Sequence, residues 1–247
     1  LGHFSEFNLT PELFRAIKRL GYSKPTPIQQ SSFSKICSGR DLVGIAQTGT
    51  GKTMAYTLPL LRNLSKPTQN LPRILILVPT RELVLQVVES VNNLCTELSF
   101  KTIGVFGGTN INSQKREVEE GADIIVATPG RLYDLSLSRA LRLKGIQKLV
   151  IDEVDVMLDL GFRHQLINIF DVLPEQRQNI MFSATMTTDV DELITSFFKA
   201  PNKVSTAISG TPLKNIKQYR FDAANYNTKV NLLNFLLREK EHYNKVL

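Results

Sequence analysis

Apolar residues follow two rhythms along the chain. Unbroken apolar runs occur at Leu42-Val43-Gly44-Ile45, Ile74-Leu75-Ile76-Leu77-Val78, Ile124-Ile125-Val126-Ala127, Leu149-Val150-Ile151 and Ile180-Met181-Phe182. A strand covered on both faces reads this way, whereas a strand with one wet face alternates. A further strand is predicted from Thr102 to Phe106. Between the runs lie stripes at helical spacing. Leu9, Leu13, Ile17 and Leu20 form the first, with Thr10 and Pro11 as start signals and Gly21 as a stop. Others run from Thr80 to about Leu98, from Ile111 to Glu120, from Gln165 to Val172 and from Asp189 to Phe198. Strand and helix alternating in this way predict an α/β fold, a parallel sheet with helices on both faces. Pro25 and Pro27 predict an extended turn from Gly21 to Gln30. Ser205 to Pro212 reads as a linker. Beyond it a strand from Ile216 to Phe221, a helix from Lys229 to Arg238 and the start of another strand near Tyr243 are expected. About forty residues cannot close a second core. The expected organisation is therefore one domain over 1–208, then a linker and a truncated second domain over 209–247.

Each predicted strand ends in polar residues or glycine, and in open α/β sheets that edge binds ligands. After the first apolar run comes Ala46-Gln47-Thr48-Gly49-Thr50-Gly51-Lys52-Thr53, with Met54 to Leu58 able to continue as a helix. A strand, a Gly-rich turn and a helix N-terminus make a phosphate cradle from inward backbone N–H groups and the positive end of the helix. Lys52 reaches β/γ phosphates and the Thr53 hydroxyl suits Mg2+. The general pattern has Gly where this chain has Ala46. Asp152-Glu153-Val154-Asp155 follows another buried run. Asp152 suits a bound Mg2+, directly or through water, and Glu153 suits orienting or deprotonating an attacking water.

Thr80, Arg81, Gly107, Gly108, Thr128 and Arg131 also fall at strand ends. Hydroxyls, backbone N–H groups and guanidinium forks suit phosphate and sugar contacts. No aromatic interleaves them, so base stacking is not expected. Helix capping explains the same Thr and Pro residues equally well. Gln29 carries an amide that can pair with adenine, but its spacing alone reads as a solvated turn residue.

Bulk properties narrow the class. At 247 residues with 42% hydrophobic content the chain can bury a core. No run approaches the ~18 residues of a membrane span. Leu1 to Glu6 lacks a charged head and an apolar middle, so no secretory leader is expected. Cys37 and Cys95 are far apart, which points away from disulfide or zinc frameworks and towards a reducing cytoplasm. A net charge of +7 favours anionic partners such as nucleic acid. His3, His164 and His242 sit in no metal-ligand pattern.

Taken together, the motifs resemble the DEAD-box family of superfamily 2 RNA helicases over nearly the whole chain. The loop A-x-T-G-x-G-K-T is that family's form and accounts for Ala46. Gly21 to Gln29 matches its adenine-reading Q motif, and Phe4 stands at the spacing of its upstream aromatic. Pro79 to Leu83 matches P-T-R-E-L, Asp152 to Asp155 the namesake box, and Ser183-Ala184-Thr185 the S-A-T motif. The resemblance implies a RecA-like P-loop domain that binds ATP and Mg2+ and hydrolyses ATP on RNA to unwind duplexes or remodel RNA–protein complexes. An ATP-gated RNA clamp is the alternative. It implies Phe4, Tyr22, Lys24, Pro25, Thr26 and Gln29 at the adenine end, and residues 46–53 with Asp152 and Glu153 at the phosphates. Lys52, Asp152 and Glu153 would be catalytic, with Thr53 and Asp152 serving the metal. Pro79, Thr80, Arg81, Gly107, Gly108, Thr128, Pro129, Gly130 and Arg131 would contact the RNA backbone. Asp155 would tie the box to Ser183, Ala184 and Thr185 and couple hydrolysis to unwinding. Two departures stand out: the box reads D-E-V-D, and the arginines of the family's second RecA-like domain lie outside this chain. That domain, RNA and protein cofactors are the implied partners.

Overall fold

The computed structural model describes residues 2–65, 71–206 and 219–238. The chain divides into two compact units, Leu1–Gly210 and Thr211–Leu247. The first holds helices α1 (Pro11–Arg19), α2 (Pro27–Cys37), α3 (Lys52–Asn63), α4 (Arg81–Leu94), α5 (Ile111–Glu119), α6 (Pro129–Leu137), α7 (Val154–Asp159), α8 (Arg163–Val172) and α9 (Thr188–Phe197). Its strands are β1 (Leu42–Ile45), β2 (Ile74–Leu77), β3 (Thr102–Val105), β4 (Ile124–Ala127), β5 (Lys148–Asp152), β6 (Gln178–Ser183) and β7 (Asn202–Ser205). All pair in parallel, in the order β3-β4-β2-β5-β6-β1-β7.

Side chains of a strand point alternately to its two faces, and the two cores divide accordingly. Ile74, Ile76, Ile124, Val126, Val150, Ile180 and Phe182 face one way and pack with α1 to α4. Leu75, Leu77, Ile125, Leu149, Ile151 and Met181 face the other and pack with α5 to α9. The central strands β2, β4, β5 and β6 are buried along nearly their whole length because they meet helices on both sides.

Four elements were not anticipated. Pro25 and Pro27 do not hold an extended turn through Gln30. Pro27 is the first residue of α2, where its missing N–H costs nothing. Pro129 starts α6 in the same way. The six-residue α7 is too short to show a period. Edge strand β7 buries only Val204, so its sequence lacks an apolar run. Helix α4 ends at Leu94 rather than near Leu98, and the following Cys95 is buried. Of the strand expected over Ile216 to Phe221, the described part, Tyr219 to Phe221, is not strand. Its remainder, and the strand start expected near Tyr243, lie outside the described residues. The second unit's described helix is α10 (Tyr226–Leu236), close to the expected span, with the Asn225 side chain capping it through Thr228 N–H at 2.9 Å.

Candidate nucleotide site

The loop between β1 and α3 is shaped by two left-handed glycines, Gly49 at φ 80° and Gly51 at φ 88°. Gly51 is the N-cap of α3, so the helix's free N–H groups open onto the loop. A Cβ on Gly51 would stand 2.6 Å from Gln29 Nε2, so both its dihedral and its surroundings require glycine. Ala46 N–H donates to the Ser183 carbonyl at 3.0 Å, holding the start of the loop to the end of β6. Thr50 Oγ1 donates to the Gln47 carbonyl at 2.7 Å.

Gln29 locks this loop to α2. Its carbonyl accepts from Thr26 N–H at 2.9 Å and its amide donates to the Gly51 carbonyl at 3.2 Å. At 5% exposure it is a buried strut rather than a solvated turn residue.

A cavity of about 600 Å3 opens at the loop, in the range of small-ligand pockets. Tyr22, Lys24, Thr26, Gln29, Thr48, Gly49, Gly51, Lys52, Thr53, Asp152 and Glu153, all singled out in the sequence, line it. At its floor Lys52 Nζ faces Asp152 Oδ1 at 3.9 Å, both side chains under 10% exposed. Neither atom has a hydrogen-bond partner, and Thr26 Oγ1 lacks one too. Buried charges without partners are costly. Burial pushes the Asp152 carboxyl up to about 6 against the pull of Lys52. Glu153 is held at φ 56° and ψ 48°, a left-handed conformation rare outside glycine. Strained residues of this kind gather at functional sites.

Tyr56 escaped the sequence reading. It is fully buried on α3, with its hydroxyl unpartnered beside Asp152, and burial raises its pKa well above the ordinary phenol value. Gln86 and Ser90 of α4 also line the cavity unforeseen. No motif marks any of these three. Their signal is helical spacing, four residues on from Lys52 for Tyr56 and one turn apart for Gln86 and Ser90.

The donor set suits ATP with Mg2+. The positive-φ loop offers N–H groups to phosphates, and Asp152 Oδ1 is an orphaned oxygen. Among the described residues no cluster of three or more His, Cys, Asp or Glu could cage a metal. Mg2+ takes one or two carboxylates with substrate phosphates and water, so it asks for no such cage.

Behind the cavity, Asp155 Oδ2 accepts from Ala184 N–H at 3.1 Å and from Thr185 N–H and Oγ1, each at 2.9 Å. Ser183 Oγ instead donates to the Thr185 carbonyl at 2.6 Å. Val154 is wholly buried in the second core.

The candidate RNA contacts sit at the ends of β2, β3 and β4. The candidate nucleotide residues sit in the loop after β1, at the start of α3, at the end of β5, and on α2 and the segment before it. Thr80 caps α4 through Leu83 N–H at 3.2 Å, so its hydroxyl has a structural use. Thr128 stands at the N-cap of α6 without a side-chain cap bond, followed by Pro129 and Gly130. Arg81 is exposed, 5.0 Å over the Phe106 ring. Gly107 and Gly108 are exposed and Pro79 is buried. Arg131 donates to Gln114 Oε1 at 2.8 Å and the Thr109 carbonyl at 2.9 Å. Phe4 lies away from the cavity lining. It is 4% exposed and packs edge-on to Phe7 at 5.6 Å.

Residues 26–193 match the sequence model of the DEAD/DEAH box helicase family. The chain is 45% identical over 204 residues to human "Probable ATP-dependent RNA helicase DDX43", covering 79% of this chain and 31% of that protein. Against Bacillus subtilis DEAD-box ATP-dependent RNA helicase CshA it is 36% identical over 216 residues, 87% of this chain and 44% of that protein. Against Bacillus subtilis ATP-dependent RNA helicase DbpA it is 34% identical over 258 residues, 100% of this chain and 53% of that protein. The chain thus spans about a third to a half of the length of these relatives.

Proposed function

The chain belongs to the DEAD/DEAH box helicase family, and from that premise we propose that it is the ATP-binding part of an RNA helicase that couples ATP hydrolysis to RNA unwinding or remodelling. What supports the reading most is the buried Lys52–Asp152 pair with its unpartnered atoms at the floor of the loop's cavity. Groups left this way are completed by a ligand.

The phosphates lie along residues 48–53, on the backbone N–H groups that open α3. Lys52 meets the charge on the transferred phosphoryl group. Thr53 and Asp152 would hold Mg2+, which would supply charge neutralisation to the transferred phosphoryl group. The strained Glu153 takes the proton of the water that attacks the γ-phosphorus, the bond to the bridging oxygen breaks, and ADP and phosphate result. Tyr22, Lys24, Thr26 and Gln29 form the adenine end. Asp155 carries the state of the site to Ala184 and Thr185. RNA runs along the sugar-phosphate contacts of Thr80, Arg81, Gly107, Gly108, Thr128 and Arg131, without sequence preference. A second RecA-like domain completes the ATP site. Two free cysteines fit a cytoplasmic setting, and among the described residues no helix is long and apolar enough to cross a membrane.

The test is ATPase activity of a chain extended through the second domain, with RNA, with DNA, and with Glu153→Gln. The expected result is stimulation by RNA and not DNA, lost about 10^2–10^4-fold in the variant. Absence of turnover at saturating RNA overturns the enzyme reading in favour of a clamp.

A further inference from the structure

At the opposite end of the sheet lies a second cavity of about 530 Å3. Its walls are the segments that lead into strands. Leu71 and Pro72 precede β2, Val118 and Glu119 close α5 ahead of β4, and Arg139 to Lys144 precede β5. Its floor is apolar, with Val118 and Leu141 buried. Its form depends on Gly145, where a Cβ would stand 2.9 Å from both Leu71 Cβ and the Pro72 carbonyl oxygen. Around the rim stand Arg139, Arg142 and Lys144, all exposed, against the single carboxylate of Glu119. None of the three cations has a side-chain hydrogen bond or ion pair with any described residue.

Arg139 adds an independent observation. It follows α6 at φ 58°, where its N–H donates to the Ser136 carbonyl and Leu141 N–H to the Leu135 carbonyl. This is the left-handed helix cap that glycine ordinarily fills. The chain keeps a long cation in a strained position although, among the described residues, its side chain has no hydrogen bond or ion pair. Favourable charge at the end of α6 does not account for the group, since Arg142 and Lys144 lie beyond its last turn.

We propose that this cavity docks an acidic segment of a partner protein, its carboxylates on Arg139, Arg142 and Lys144 and an apolar residue on Leu71, Val118 and Leu141. The apolar floor and the absence of an aromatic platform among the lining residues favour a peptide over single-stranded nucleic acid. Because the nucleotide cavity opens where strands end and this one where they begin, a partner held here leaves the ATP and RNA surfaces free.

The test is fluorescence anisotropy of a labelled peptide of about ten residues, Asp and Glu interspersed with Leu. Wild-type protein should bind it with a Kd of roughly 10^-6 to 10^-5 M. Arg142→Glu should weaken binding about tenfold and Arg139→Gly about fivefold. Arg139→Gly should at the same time raise Tm, because glycine relieves the backbone. Binding of a fluorescent ATP analogue should not change in either variant. The proposal is overturned if the wild type does not bind at millimolar protein, if Arg139→Gly binds like the wild type, or if that variant loses both binding and Tm. Displacement of the peptide by a uridine oligonucleotide would assign the cavity to RNA and overturn it equally.

Discussion

The two ends of the sheet treat buried carboxylates in opposite ways. Where strands begin, Asp41 accepts from Asn179 N–H at 2.7 Å, Asn179 Nδ2 at 3.4 Å and Lys199 N–H at 2.9 Å. Asp123 takes Arg73 at 2.6 Å and Lys101 N–H at 2.9 Å. Every oxygen of these two is satisfied. Where strands end, Asp152 and Asp155 each keep one oxygen without a partner, and Glu153 is strained. The fold can satisfy a buried acid and does so where only stability is at stake. At the other end it leaves acids unsatisfied, which is the signature of groups held for a ligand.

Replacing acids at the two ends gives the largest contrast. Asp123→Ala strands part-buried Arg73 and should cost about 3 kcal/mol in chemical denaturation. Asp152→Asn in metal-free buffer should leave stability equal or higher. An acid whose folded pKa lies above its unfolded value binds more protons folded than unfolded between the two, so stability falls as pH rises across that window. Wild type should therefore lose stability relative to Asp152→Asn between pH 3.8 and about 6. A deficit of several kcal/mol in Asp152→Asn would erase the contrast.

Gly51→Ala should lower ATP turnover of the longer chain about 100-fold, since displaced phosphates lose their alignment. A wild-type rate would show that the loop tolerates the clash with Gln29. Val154→Ala removes methyls from the second core and should cost about 2 kcal/mol, with turnover changed only modestly. A hundredfold gain in rate would mean instead that Val154 restrains the acids. Glu153→Gly should stabilise the fold by about 1 kcal/mol as the left-handed strain is relieved, while Glu153→Gln should not. At the smallest scale, burial pushes the Cys95 thiol up to about 12. Iodoacetamide near pH 8.5 should therefore leave Cys95 intact in the folded protein, as mass spectrometry would show.

The sequence made the central strands legible because β2, β4, β5 and β6 are apolar on both faces. It hid β7, whose edge position lets Asn202, Lys203 and Ser205 stay polar. Proline misled once, because the residue that breaks a helix inside also starts one. Pro27 read as part of an extended turn and stands at the first position of α2, whereas the helix-start role open to Pro129 is the one it takes in α6. The phosphate loop and the acid box were readable because their backbone geometry and charge demand particular residue types. Tyr56 and Arg139 were not. Their roles come from burial and from a dihedral angle: helical spacing puts Tyr56 one turn on from Lys52 without singling it out, and the dihedral of Arg139 leaves no trace in residue order. Gln29 shows a third case, in which an amide is bound at both ends by neighbours that only the fold supplies.

The strand order also dictates when the phosphate loop can exist. Among the described strands of the first unit β1 comes first in the chain, yet its neighbours are the last two, β6 and β7. The hydrogen bond from Asn179 to Asp41 spans 138 residues. At about 5–20 residues per second of translation, β1 waits roughly 7 to 28 s for its first partner. Through that interval Leu42 to Ile45 is an unpaired apolar strand on the ribosome. ATP cannot template folding early, since the candidate cradle needs β6 in place beside β1. Messages cut short before the codon for Gln178 would yield chains with an orphan strand, natural clients for chaperones and proteases.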